Sequence, residues 1–289
     1  MNSAYAIRME PVLTHIDTHA GVEINLNQLA QLAGFSRFHF QRIFVGVVGQ
    51  TPAAYLRRIR LENAHRLIAE HPNRSLTNIS FDCGFSSSSL FSRSFRAEFG
   101  YAPRQVQQLL ATGSIGLAAR RSPPPIAKTS PPQEPIRPVQ VGFSPTMRLA
   151  FIRCTGYGLG IGLAYARLFR TLRRAGLIGA WTKAVGISLD NPEITDPKQC
   201  RYYAGAIIPL QCPLPSGLAT ITLPEGRRAI VPYSGDLAGI DQAIAWLFRN
   251  WLPTSGFFPA DLPLYSLIAR NPFWGESSRY EMEICLPIE

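Results

Sequence analysis

Lysine is absent from the first 121 of the 289 residues. Basic charge there rests on 13 arginines against 7 acidic residues, a net of 13 − 7 = +6. Residues 122–289 carry 16 Lys+Arg and 12 Asp+Glu, a net of +4 over a longer stretch. Such a balance points to an anionic partner, nucleic acid ahead of a membrane surface. Arginine's planar fork suits phosphates and guanine edges, although an arginine-favouring genome would leave the same bias. Histidine is missing after His71, and no GxSxG motif occurs, so the C-terminal half has no imidazole base. Cysteine is sparse: Cys83, Cys154, Cys200, Cys212 and Cys285 form no CxxC pair. They form no dense disulfide framework and read as buried or incidental thiols in a reducing compartment. No apolar run reaches about 18 residues, and the opening MNSAYAIRMEPV lacks an apolar leader core. No membrane span or signal peptide is expected, and the location is read as cytoplasmic. His15 and His19 stand at i, i+4 without a third ligand nearby, so no metal site and no cofactor are expected.

Proline is abundant in one place. Seven prolines fall within Pro123–Pro138, which rules out a helix interior and favours an extended tether. The expected division is residues 1–112, a linker over 113–138, and residues 139–289. Each flanking part repeats internally. Leu26, Gly34, Phe35 and Ser36 recur 50 residues later as Leu76, Gly84, Phe85 and Ser86. Phe40, Arg42, Phe44, Gly49 and Pro52 recur after 51 as Phe91, Arg93, Phe95, Gly100 and Pro103. In the second part, 151–170 aligns without gaps on 230–249, an offset of 79. NP at 191–192 matches NP at 271–272, and RYYAGAIIP (201–209) matches RYEMEICLP (279–287).

The stretch GFSSSSLFSRSF (84–95) looks like a serine linker until its copy GFSRFHFQRIF (34–44) is laid beside it. In the first copy a short helix ends at Gly34, where positive φ is cheap, and Ser36 is placed to cap the next. Phe40, Ile43, Phe44 and Val47 then point to a core, leaving Arg37, Phe38, Gln41 and Arg42 outward. In the second, Leu90, Phe91, Phe95 and Phe99 are expected inward, with Ser88, Ser89, Ser92 and Arg93 outward. Thr51 to His71 reads as one long helix between the copies, capped by Thr51 and stopped by Pro72. Its span of about 30 Å compares with about 34 Å per turn of DNA, so one chain can serve two successive major grooves. Arg57, Arg58 and Arg60 on it read as phosphate contacts or solvated charge.

At these residues the first part resembles the AraC/XylS family of bacterial transcription regulators, over about residues 10–107. ISFDCGFSSSSLFSRSFRAEFGYAPRQV is the most specific stretch. The resemblance implies a tandem helix-turn-helix that binds double-stranded DNA and works with RNA polymerase. It places Phe38, Gln41 and Arg42 in the first groove and Ser88, Ser89 and Arg93 in the second. The first half-site is expected to be read more strictly, because hydroxyls discriminate bases less than Gln and Arg do.

Each copy in the second part reads as strand, Gly-containing loop, helix, loop, strand. Strands are expected at 147–154, 201–208, 228–233 and 279–286, and helices at 159–175 and 238–252. On the last strand Tyr280, Met282, Ile284 and Leu286 share the face suited to pack under helices. Glu281, Glu283 and Cys285 share the other face, where a groove is expected. This part resembles the GyrI-like (SHS2-duplicated) effector-binding domain over about 141–289. The arrangement is similar to that of Rob-like regulators, and it implies a small lipophilic ligand held between the halves. Many such domains carry a Glu before the second NP turn as counter-charge to a cation. The matching residue here is Ser266, beside Arg270. Tyr157, Tyr203, Tyr265, Trp274, Glu281 and Glu283 are the candidate ligand contacts. The fold class is therefore an all-α tandem helix-turn-helix followed by a duplicated α+β domain. The leading function is a ligand-responsive transcription regulator rather than an enzyme. The alternatives are a small-molecule hydrolase fused to a DNA-binding domain, or a ligand-independent regulator with a protein-interaction domain.

Overall fold

The computed structural model describes residues 3–111, 138–157, 159–192, 195–270 and 279–289. Nearly all of the expected linker, and Trp274, lie outside the described residues. The first part holds helices α1 (Ser3–His19), α2 (Leu26–Leu32), α3 (Phe40–Val48), α4 (Pro52–Glu70), α5 (Leu76–Asp82), α6 (Ser88–Phe99) and α7 (Pro103–Ala111). Two compact units emerge. One takes Ser3–Gly34 and the described residues from Val47 through α7. The other takes Phe35–Gly46, and so most of α3, with the described residues from 138 on.

The helical unit is built on α4. Thr51 accepts from the Ala54 N–H at 3.1 Å, and Pro52 opens the helix as expected. Leu61, Ala64 and Ile68, at i, i+3, i+7, are buried against Ile79, Phe85, Phe91 and Phe95. The rings of Phe85, Phe91, Phe95 and Phe99 form a chain with centroids 5.3, 5.4 and 4.6 Å apart. Gly84 makes the α5–α6 turn at φ +80°. Ser87 then caps α6, accepting from the Leu90 N–H at 3.2 Å. Leu90 departs from expectation. It is exposed, because it lies one residue off the Phe91/Phe95 stripe and shares a face with Arg93. Arg60 departs too: it donates to the Ala20 and Val22 carbonyls at 2.7 and 2.9 Å, so it holds the α1–α2 turn.

The other unit carries an antiparallel eight-stranded sheet in the order β1-β6-β8-β7-β3-β4-β2-β5. The strands are β1 (Gln140–Ser144), β2 (Met147–Thr155), β3 (Ala184–Ser188), β4 (Arg201–Ile208), β5 (Ala219–Leu223), β6 (Gly226–Gly235), β7 (Tyr265–Arg270) and β8 (Tyr280–Pro287). The order reads the same from either end when each strand is exchanged for the one four later. The duplication is thus a pseudo-twofold between β3 and β7, whose register pairs Val185 with Leu267 and Ile187 with Tyr265. β2, β4, β6 and β8 match the expected strands. The other four were not expected. β3, at the sheet centre, reads AVGIS, too short and too evenly buried to show alternation.

Helix α8 (Leu159–Arg174) packs over β2 and β4, and α9 (Leu237–Trp246) over β6. The second helix is not continuous to 252 as expected. A π-helical turn, Leu247–Trp251, separates α9 from α10 (Leu252–Ser255). Opposite the helices the sheet face is filled. Met147, Leu149, Val185, Ile187, Leu223, Tyr265 and Cys285 are buried in one cluster. Strand twist lets side chains from the inner and edge strands meet there. This overturns the expected groove on that face.

Candidate functional site

In the second motif the side chains divide cleanly. Phe91 and Phe95 point into the core, while Ser89, Ser92 and Arg93 are exposed and Ser88 is half-buried in the first turn. The helix therefore presents hydroxyls and one guanidinium at its N-terminal end, the end that enters a major groove in this motif class.

The first motif carries Arg37 exposed, with Phe38 and Gln41 half-buried. Arg42, expected outward, is buried, 7 % exposed. Its Nη2 donates to the Asp190 carbonyl at 3.0 Å, and its guanidinium lies 5.7 Å from the Phe248 ring centroid. His39 is fully buried, donating from Nε2 to the Leu262 carbonyl at 2.7 Å. Burial above all, with the Arg42 charge second, pulls its pKa down to about 3. The outward-face expectation for Arg42 rested on helical periodicity, its repeat at Arg93 and the family resemblance, none of which shows that another element covers that face. Ser36 does not cap α3 through its side chain: its carbonyl takes the His39 and Phe40 N–H groups, and its buried hydroxyl finds no partner.

A groove of about 940 Å³ lies on the helix side of the sheet. Gly162, Tyr165, Ala166 and Phe169 of α8 form one wall. The other is formed by Pro232–Ser234 of β6, Leu267–Ala269 of β7 and Glu281–Glu283 of β8, with Thr182–Ala184 at the end. The volume is that of a drug-sized site. The Tyr165 hydroxyl is fixed, donating to the Val185 carbonyl at 2.9 Å and lying 3.1 Å from the Tyr202 hydroxyl. Tyr202 in turn lies over Gly186, where a Cβ would sit 2.0 Å from its hydroxyl. Tyr233 donates to the Asp236 carbonyl at 2.6 Å, and Asp236 caps α9 by accepting from the Gly239 N–H at 2.8 Å. Glu281 lies 3.6 Å from Arg270, and Lys183 stands at the groove end.

Of the expected ligand contacts, Glu281 and Glu283 line this groove. Tyr203 and Tyr265 do not. Tyr203 stacks on Phe151 at 4.3 Å, and Tyr265 is fully buried beside the Arg228 guanidinium at 3.3 Å. Tyr157 meets Tyr202 edge-on at 6.3 Å, away from the lining. Sequence reasoning missed Tyr165, Phe169, Tyr233 and Met282. Gly162, Tyr165, Ala166 and Phe169 stand at i, i+3, i+4, i+7, so the α8 face was readable.

The duplication carries that face to a second place. Asp241, Ile244, Ala245 and Phe248 are the residues 79 further on, and all four line a smaller recess together with Arg42, Asn191, Pro192 and Arg249.

Comparison with known proteins places residues 138–289 in the GyrI-like small molecule binding domain and residues 29–109 in a helix-turn-helix domain. The transcriptional activator RhaS of Escherichia coli, in several strains, is 36% identical over 103 residues. That match covers 36% of this chain and 37% of the relative, so the chain spans little over a third of the relative's length. Among solved structures, an AraC-type DNA-binding regulator from Chromobacterium violaceum shows 25% identity and a TM-score of 0.35, covering 38% of this chain and 97% of that one. The EcmrR C-terminal domain shows 13% identity and a TM-score of 0.44, covering 52% of this chain and 98% of that one. The chain belongs to the GyrI-like small-molecule-binding family through residues 138–289, and carries an AraC-type helix-turn-helix region ahead of them.

Proposed function

We propose that this protein is a sequence-specific transcription regulator whose GyrI-like domain senses a small lipophilic molecule. The observation that carries the reading is α6: its aromatic face is locked into the core, and its opposite face presents Ser88, Ser89, Ser92 and Arg93. Serine hydroxyls accept or donate, and Arg93 is the residue type that reads guanine. Action on transcription through RNA polymerase follows from the family resemblance.

The groove supports ligand binding better than turnover. It is walled by the rings of Tyr165, Phe169 and Tyr233, with Glu281 and Glu283 of β8 among its lining residues, and all five histidines lie at or before His71. Arg270 partly balances Glu281, so a lipophilic body is the main recognition element.

Two measurements test this. Titration of the full chain against a random duplex pool, across a salt series, should recover a sequence preference that Arg93→Ala relaxes. Affinity unchanged by that substitution would sink the DNA reading. A thermal-shift screen of cationic, neutral and anionic lipophilic compounds should give stabilisation that is lost on Phe169→Ala; no shift in any class would remove the ligand half.

A further inference from the structure

The two recognition helices are sequence copies, yet only one has an open face. Leu90, Arg93, Arg96 and Ala97 of α6 are all exposed. Their counterparts 51 residues earlier, His39, Arg42 and Val45, are buried, and Gly46 is half-buried. What covers them is the face of α9 and the π-turn that repeats the ligand-groove wall of α8. Rings of His39 and Phe248 stand 5.5 Å apart. A Cβ on Gly46 would lie 3.1 Å from the Phe248 carbonyl oxygen and 3.4 Å from the Arg249 Cα.

Gly46 explains itself through that approach. A glycine inside a helix is unfavourable relative to alanine, and the α6 copy has Ala97 there. A side chain there fits against the Phe248 backbone only if that backbone gives by a few tenths of an ångström. The π-helical turn at 247–251 is the stretch that carries Phe248 and Arg249 against α3.

We infer that the duplicated domain has two pseudo-equivalent recesses with different occupants. The α8 recess is free for a small molecule, and the α9 recess is the docking site for the first recognition helix. The same α3 face cannot hold DNA and the α9 recess together, so the chain masks its own first half-site. The inference rests on reading that face as a DNA contact. Ligand enters the balance at Tyr233, which lines the α8 groove and bonds to the cap of α9.

Two variants test the masking. Ala245→Arg places a bulky charge in the recess and leaves α3 untouched. Gly46→Cys with Arg249→Cys places two thiols within reach across the contact. The wild-type chain, selected on a random duplex pool and sequenced, should specify one half-site. Ala245→Arg should specify two, one helical turn apart, and bind at least tenfold tighter. The cysteine pair should cross-link on oxidation and bind as tightly as Ala245→Arg only when reduced. Two half-sites specified by the wild type, or no cross-link in a pair variant that melts like wild type, overturns the inference. If no variant binds DNA, the regulator reading fails, while cross-link formation still reports whether α3 docks.

Discussion

Acidification should release the first recognition helix, and the size of the effect follows from His39. Its imidazole is neutral in the recess, donating from Nε2 to Leu262, with Nδ1 buried and unpartnered. Burial, then Arg42, lowers its pKa from 6.5 to about 3. The undocked helix exposes the ring and returns it toward 6.5. The undocked form therefore binds more protons, and docking weakens as pH falls. Docking is at full strength above 6.5, and the loss proceeds from there down to about 3. At pH 5.5, one unit below 6.5, it amounts to a factor of about ten. The other charges around the recess are Arg42, Asp190, Asp241 and Arg249. None of them is a histidine, and Arg201 holds Asp190 below the usual carboxylate range. The assay is fluorescence anisotropy on a fixed duplex at constant salt, at pH 7.5 and 5.5, with Ala245→Arg as the reference that has no docking to lose. Wild-type affinity should climb about tenfold toward the variant's. Parallel titration of the two proteins would falsify the reasoning.

Two further tests concern stability. Gly84 and Gly34 both adopt positive φ, but a Cβ at Gly84 would meet the Ala20 carbonyl at 2.9 Å, whereas at Gly34 the nearest atom is 3.7 Å away. Gly34→Ala should cost about 1 kcal/mol, from backbone strain alone, and Gly84→Ala clearly more; equal urea midpoints would contradict this. Tyr165→Phe removes the donor to the buried Val185 carbonyl and should cost about 1–3 kcal/mol. A melting temperature unchanged within 1 °C or so would show that the bond adds nothing.

Local pattern made much of this legible. Caps placed α4 within a residue at each end, the Gly84 turn and the Phe91/Phe95 stripe marked the second motif, and internal copies revealed the duplication. What stayed hidden depends on contacts between distant segments. Nothing around Arg42 says that α9 covers it, since its neighbours match those of the open Arg93. The one local irregularity was Gly46, a helical glycine where the copy has alanine. Tyr265 and Tyr203 looked like pocket aromatics because alternation assigns a face but not what fills it. The central strand β3 escaped because a strand buried on both faces has no alternation to read.

The pseudo-twofold of the sheet has a pharmacological consequence. A compound shaped for the α8 wall meets a related wall 79 residues on, with Phe169 and Ala166 matched by Phe248 and Ala245. At low dose it fills one recess. At higher dose it competes with α3 for the other, and each molecule bound there frees a recognition helix. Dose–response curves for such compounds should therefore rise in two steps, with a stoichiometry that passes from one to two per chain.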